Sequence, residues 1–254
     1  LLPADSNGNY QIDKDSLHIW PRGRFMLIAL ANEDGSFTCT LFMPFEGEKN
    51  AFDNLKTKEQ VDNFFKSTFP DFYDMMPNIA DAWEDHPLSS LALMRCEPWA
   101  IGKTALMGDA AHATVPFYGQ GMNSGFEDCT VLYELMKKHN ENWDKVFDEY
   151  NKTRKADGDA VQDLSLHNYY VMRDYVADPK FLLQKKIEAH FSKNYPNKWM
   201  PLYSQVSFSN IPYSEAFKVG MRQDEIMKKV MDSFSNIEDI WDSKEVEESI
   251  LALI

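Results

Sequence analysis

Cysteine is scarce in this chain. There are three, Cys39, Cys96 and Cys129, far apart, with no CxxC pair and no Cys/His ligand spacing. That argues against a disulfide framework or a zinc site and fits a reducing, cytoplasmic compartment. Basic residues are also in short supply: 26 against 40 acids, a formal net charge of −14. Such a surface repels phosphate backbones, so no nucleic acid partner is expected, and anionic membranes are disfavoured for the same reason. No apolar run reaches the roughly 18 residues that a membrane span requires. No signal peptide, repeat or low-complexity tract is visible. An initial methionine is missing too: the chain opens Leu1-Leu2-Pro3 and reads as the middle of a longer protein.

What is present is material for a core. Of 254 residues, 44% are hydrophobic, enough for one large domain or two small ones. Residues 24–30 (RFMLIAL) and 36–43 (SFTCTLFM) are apolar and β-prone, and Asp34-Gly35 between them predicts a hairpin. Period two puts Met26, Ile28 and Leu30 on one face, and Thr40 and Phe42 on one face of the second strand. Both faces are apolar, which predicts cover on both sides. Thr57 and Gln60 spell a capping box for a helix over 57–67. Pro70, Pro77, Pro87 and Pro98 break regularity between 68 and 100.

A strand is expected at 103–107 and a helix at 121–138, where Phe126, Cys129, Leu132 and Met136 recur at helical spacing. Glu127 and Asp128 fall in its first turn and Lys137 and Lys138 in its last, as the helix dipole favours. Further helices are expected at 143–156, 160–176 and 179–193. Residues 223–254 carry one amphipathic pattern through Ile226, Val230, Ile237, Trp241, Val246, Ile250 and Leu253. Strands come early and helices late, so the class is mixed α/β.

The densest run is GDAAHATVPFYGQGMN, Gly108 to Asn123. An acid beyond a strand's C-terminal end sits where α/β sheets bind ligands. A carboxylate there accepts hydrogen bonds from the hydroxyls of a ribose or ribityl chain. Gly119 and Gly121 leave the following helix start open, and its N–H groups favour negative charge. These features suit a polyol-bearing cofactor with an anion-accepting ring. A lone Asp in such a place is most often a cap; the whole run is far more specific. His112 is read as structural. His18, His86, His139, His167 and His190 form no ligand spacing.

This run resembles the second FAD-binding motif of the single-component FAD-dependent aromatic hydroxylases, GDAAH followed by Pro and Gly residues. The runs Leu17–Gly23 (LHIWPRG), Ser36–Phe45, Pro116–Cys129, Asp163–Arg173 (DLSLHNYYVMR) and Pro201–Tyr203 extend the resemblance over most of residues 10–220. The resemblance implies part of a flavin hydroxylase fold of FAD/NAD(P)-binding type: a substrate-domain sheet over 1–100, a return into the FAD domain over 101–140, and a C-terminal helical region over 141–254. It implies FAD as cofactor, NADPH and O2 as co-substrates and L-kynurenine as the ring hydroxylated, in tryptophan degradation. It implies FAD contacts from Asp109, Met122 and Asn123, with Gly119 and Gly121 at the helix start. It implies substrate contacts from Asn168 and Tyr203. Met26, Ile28, Leu30, Thr40 and Phe42 would line the substrate pocket, Pro116, Phe117 and Tyr118 the loop beside the flavin, and Met172 a further wall. No nucleophile or metal is called for, because the cofactor carries the chemistry.

The family also needs a Gly-rich βαβ turn for the FAD pyrophosphate, and no G-x-G-x-x-G follows a strand here. The chain therefore resembles the C-terminal part of such an enzyme, with its N-terminal half as the expected partner and with little activity alone. Two other readings stay open: a related flavin monooxygenase with another aromatic substrate, and a non-catalytic fragment lacking the primary FAD site. The pattern over 223–254 has no role assigned.

Overall fold

A computed structural model describes residues 1–83 and 86–254. The expected hairpin is formed by β2 (Met26–Ala31) and β3 (Phe37–Phe42), and a strand not expected from the sequence, β1 (His18–Pro21), pairs antiparallel with β2. Asp34 closes the turn: its carboxylate accepts from the N–H and hydroxyl of Ser36. Met26 pairs with Phe42 and Ile28 with Thr40, so the five pocket positions share one sheet face, as period two requires. The opposite face, with Leu27, Ala29 and Phe37, is buried against α1 (Lys58–Thr68), α2 (Pro70–Met75) and α3 (Ile79–Ala82) through Phe65, Phe69 and Phe72. Cover of the first face is only partial, with Ile28 and Phe42 half-buried. Met26 is buried, but Thr40 is exposed and Leu30 is 49% exposed.

The Thr57 capping box is present, with Thr57 Oγ accepting from Gln60 N–H and Gln60 Oε1 from Thr57 N–H. Pro70 does not break regularity; it starts α2, where a missing N–H costs nothing. The expected strand at 103–107 shrinks to β5 (Thr104–Ala105), which pairs only with β4 (Ala100–Ile101). The Gly-Asp turn that follows is α4 (Asp109–His112).

The expected helix at 121–138 is α5 (Gly121–Lys138); its expected apolar face holds in the C-terminal half, where Leu132 and Met136 pack on a core cluster, and fails in the N-terminal half. Phe126 and Cys129 are exposed, while Ser124, Asp128 and Leu135 are buried. Glu127 and Asp128 are its seventh and eighth residues counted from Gly121, so they do not serve its first-turn dipole. The two helices expected at 143–156 and 160–176 are one, α6 (Trp143–Arg173). Gly158 lies in the middle not as a breaker but as a gap: a Cβ there would lie 2.2 Å from the Trp99 ring. The indole occupies the space that a side chain would fill.

Helix α7 (Pro179–Asn194) starts at Pro179 with Asp178 as its cap. Helix α8 (Leu202–Phe208) was not expected. The amphipathic stretch 223–254 is divided among the end of α9 (Tyr213–Ser233), α10 (Ile237–Ile240) and α11 (Lys244–Leu251). Its pattern holds: Ile226, Val230, Ile237, Val246 and Ile250 are buried in one cluster with Ile187 and Phe191 of α7. Two compact units result, one of Leu1–Ser90 with Val171–Ala177, the other of Leu91–Tyr170 with Asp178–Ile254. Among the described residues no helix is long and apolar enough to cross a membrane.

Candidate functional site

The expected site residues divide between the two units. Met26, Ile28, Leu30, Thr40, Phe42 and Met172 belong to the first; Asp109, the 116–123 loop, Asn168 and Tyr203 belong to the second. In the first unit the five strand residues form an apolar sheet face whose Leu30 end is open to solvent. Met172 is buried near the end of α6, one turn beyond Asn168.

In the second unit the Gly-Asp turn is built backwards from a buried charge. Asp128 of α5 is fully buried. Its Oδ2 accepts from Gly108 N–H at 2.8 Å and lies 2.6 Å from His112 Nε2; its Oδ1 accepts from Arg154 Nε of α6 at 2.7 Å. Burial pushes the Asp128 carboxyl up, but the hydrogen bonds from His112, Arg154 and Gly108 outweigh it and hold it below the ordinary carboxylate value. The carboxylate is therefore ionised and can only accept, so His112 Nε2 carries the proton. Burial likewise disfavours the Arg154 charge, and Asp128, Glu127 and Asp157 more than restore it. Arg154 Nη2 adds bonds to the Ser124 carbonyl and hydroxyl and an ion pair to Glu127 at 2.9 Å.

Gly108 sits at φ 56°, ψ −140°, a conformation closed to L side chains, and its Cα lies against Gly125 of α5. Asp109 is thereby delivered exposed, with no protein partner among the described residues. A free carboxylate beside α5 fits a ligand rich in hydroxyls. The start of α5 fits too. No side chain caps it, and Gly119, Met122 and Asn123 are exposed there. Asn123 Nδ2 donates to Gln120 Oε1, and so does the Tyr213 hydroxyl; buried Gln120 pins this helix start to α9.

Pro116, Phe117 and Tyr118 form a single 3-10 turn between Asp109 and α5. Asn168 Nδ2 donates to the Phe117 carbonyl at 2.7 Å, so this amide holds the loop and leaves Oδ1 without a partner among the described residues. The Tyr203 ring stacks on Tyr118 with centroids 5.7 Å apart, and its residue is 56% exposed. Burial and the neighbouring Tyr203 push the Tyr118 phenol far above its ordinary value, so it stays neutral. Phe117 packs on Tyr169, centroids 4.6 Å apart.

Asp128, Arg154 and Gln120 were missed by sequence reasoning. The only signal for the first two was a lone Arg inside a long helix pattern and an acid on the face opposite the apolar stripe of α5, and neither is specific. Among the described residues no group of three metal-ligating side chains occurs.

Residues 15–165 match the family described as FAD binding domain. Kynurenine 3-monooxygenases of Flavobacterium psychrophilum and Flavobacterium johnsoniae are each 52% identical over 254 residues, all of this chain and 56% of those proteins. The kynurenine 3-monooxygenase of Dictyostelium discoideum is 43% identical over 243 residues, 91% of this chain and 53% of its own length. The chain thus spans about half the length of the curated relatives it matches.

Proposed function

The chain belongs to the FAD binding domain family, and from that premise we propose that it is part of an FAD-dependent kynurenine 3-monooxygenase. The observation that carries the reading is Asp109: an exposed carboxylate without a protein partner, on a glycine-dependent turn packed against an uncapped helix start. In this reading residues 1–100 supply substrate-domain sheet, 101–140 the return into the FAD domain and 141–254 the helical region. The rest of the enzyme, with the Gly-rich pyrophosphate turn, lies outside this chain.

Asp109 accepts from the cofactor's ribityl or ribose hydroxyls. Met122 and Asn123, with the bare backbone at Gly119 and Gly121, face the ring edge, where the α5 N–H groups favour negative charge. Bound FAD, reduced by NADPH, supplies the activation of O2 from which one oxygen atom passes to the L-kynurenine ring. The chain's residues bind, orient and exclude water. The free Oδ1 of Asn168 accepts from the substrate's amino-acid end, and the exposed Tyr203 hydroxyl adds a second polar contact. Within the first unit Met26, Ile28, Leu30, Thr40 and Phe42 offer an aromatic ring a sheet face, and Met172 belongs to the same unit; within the second, Pro116, Phe117 and Tyr118 form the loop assigned to the flavin. A dry surface keeps activated oxygen from being lost to water.

The test is Asp109→Ala in the full-length enzyme. FAD retention should fall by about 1.5–3 kcal/mol, the worth of a hydrogen bond to a charged group. The measurement is a flavin fluorescence titration, and unchanged affinity rejects the reading. In the same protein, Tyr203→Phe should raise KM for L-kynurenine with FAD content intact.

A further inference from the structure

Asp109 rides on one helical turn, and one turn alone has little to hold it. The N–H groups of Ala111 and His112 both donate to the Gly108 carbonyl at 2.9 Å, and isolated helices that short are unstable in water. The firmness comes from across the unit. Oδ2 of Asp128 takes the N–H of Gly108, the residue before the turn, and the ring N–H of His112, its last residue. One oxygen atom ties both ends. The other oxygen is held by Arg154 Nε at 2.7 Å, so the carboxylate cannot rotate away without breaking bonds inside a dry interior. Between the two clamped ends Asp109 and Ala110 are exposed, and the Asp109 carboxylate has no protein partner among the described residues.

We infer that Asp128 is a positioning residue for FAD: by clamping Gly108 and His112 it aims the Asp109 carboxylate at the cofactor's hydroxyls. The inference rests on the proposed role of Asp109. If Asp128 served only to neutralise Arg154, it would need neither the Gly108 amide nor the His112 ring. Both of these bonds are made by the oxygen that Arg154 does not use.

The experiment is a double-mutant cycle on the full-length enzyme, stripped of flavin and titrated with FAD by fluorescence quenching. The variants are Asp109→Ala, Asp128→Asn and the pair, with apoprotein thermal stability measured alongside. Each single change should weaken FAD binding about tenfold, while the pair should be no more than about threefold weaker than the worse single, because Asp128 acts through Asp109. Losses that multiply in the pair overturn the inference, since a structural role lowers affinity independently of Asp109. Unchanged affinity in a folded Asp128→Asn variant overturns it as well. If Asp109→Ala alone leaves affinity unchanged, the FAD role of Asp109 fails first and takes this inference with it. Should Asp128→Asn not fold, His112→Phe enters the same cycle. It keeps a ring against Trp99 but removes one tie, and multiplicative loss there is equally fatal.

Discussion

Helices α5 and α9 are of similar length and both carry helical apolar spacing, yet they use it in opposite ways. In α9 the pattern points inward: Ile226, Met227 and Val230 are buried with Ile250 of α11, and charged residues face water. In the N-terminal half of α5 the apolar residues Met122 and Phe126 face outward, Phe126 at 66% exposure, and the buried side holds Ser124 and Asp128; only the C-terminal half, with Leu135, packs on an apolar cluster. The first helix is held by apolar burial, about 25 cal/mol per Å2 of surface removed from water. The second is held at its N-terminal half by a charged network, which repays its desolvation only while every partner is in place. The α9 region also buries polar side chains, Gln223 and Gln205, but they are neutral; the buried charge of α5 fixes the backbone of the Gly-Asp turn.

The sharpest way to break this contrast is to strip one partner from the network. Arg154→Ala leaves Asp128 buried beside His112 without its cation and should cost about 3–5 kcal/mol of stability by urea denaturation. The sign of its pH dependence follows from Asp128. In the parent its carboxyl is held below the unfolded value, so its contribution is full above that value and is lost as pH falls through the folded one. Without Arg154 the buried charge is a liability that protonation relieves. The gap between parent and variant should therefore narrow on acidification.

On the conventional side, Ile250→Ala removes a fully buried side chain from the α7–α9–α11 cluster. It should cost about 2–5 kcal/mol, with a centre below that of Arg154→Ala, through lost transfer energy and a residual cavity. No charge is involved, so this loss should hold steady across the same pH range. An acid-sensitive loss at Ile250 would show that the two regions are not held by different forces.

Legibility in the sequence follows the same division. The hairpin, the Thr57 box, α7 and the pattern over 223–254 were readable because each follows a local rule: alternation, capping or an inward apolar face. β1, the helix that starts at Pro70 and α8 were also missed, but the misreadings that bear on the candidate site sit near the Gly-Asp turn. Apolar periodicity misplaced the N-terminal half of α5 because the side buried there holds Ser124 and Asp128, while Leu132 and Met136 further along do pack inward. The interruption expected between 156 and 160 does not exist, and the reason Gly158 stands there, the Trp99 ring, lies about sixty residues away. The 103–107 strand was overestimated because a strand needs neighbours, and β5 has only β4 among the described residues. Asp109 and its glycines were visible as a motif, but the carboxylate that holds them was not, since nothing local marks Asp128 as buried.

The smallest effect expected is also the one that tests the outward face of α5. Phe126→Ser replaces a large ring by a small polar group at a site with 66% exposure. In a helix of ordinary amphipathicity the same change on the apolar stripe would open a cavity and cost several kcal/mol. Here the ring is not part of any buried cluster of the described residues, so the 254-residue chain should change in stability by no more than about 0.5 kcal/mol in either direction. Serine's weaker helix propensity accounts for a few tenths of that. Thermal unfolding of parent and variant side by side is sufficient. A loss above about 2 kcal/mol would mean that Phe126 is covered in solution and that α5, like α9, buries its apolar stripe. A silent substitution leaves the side with Ser124 and Asp128 as the one that fixes the N-terminal half of α5, while Leu135 and its neighbours fix the other half.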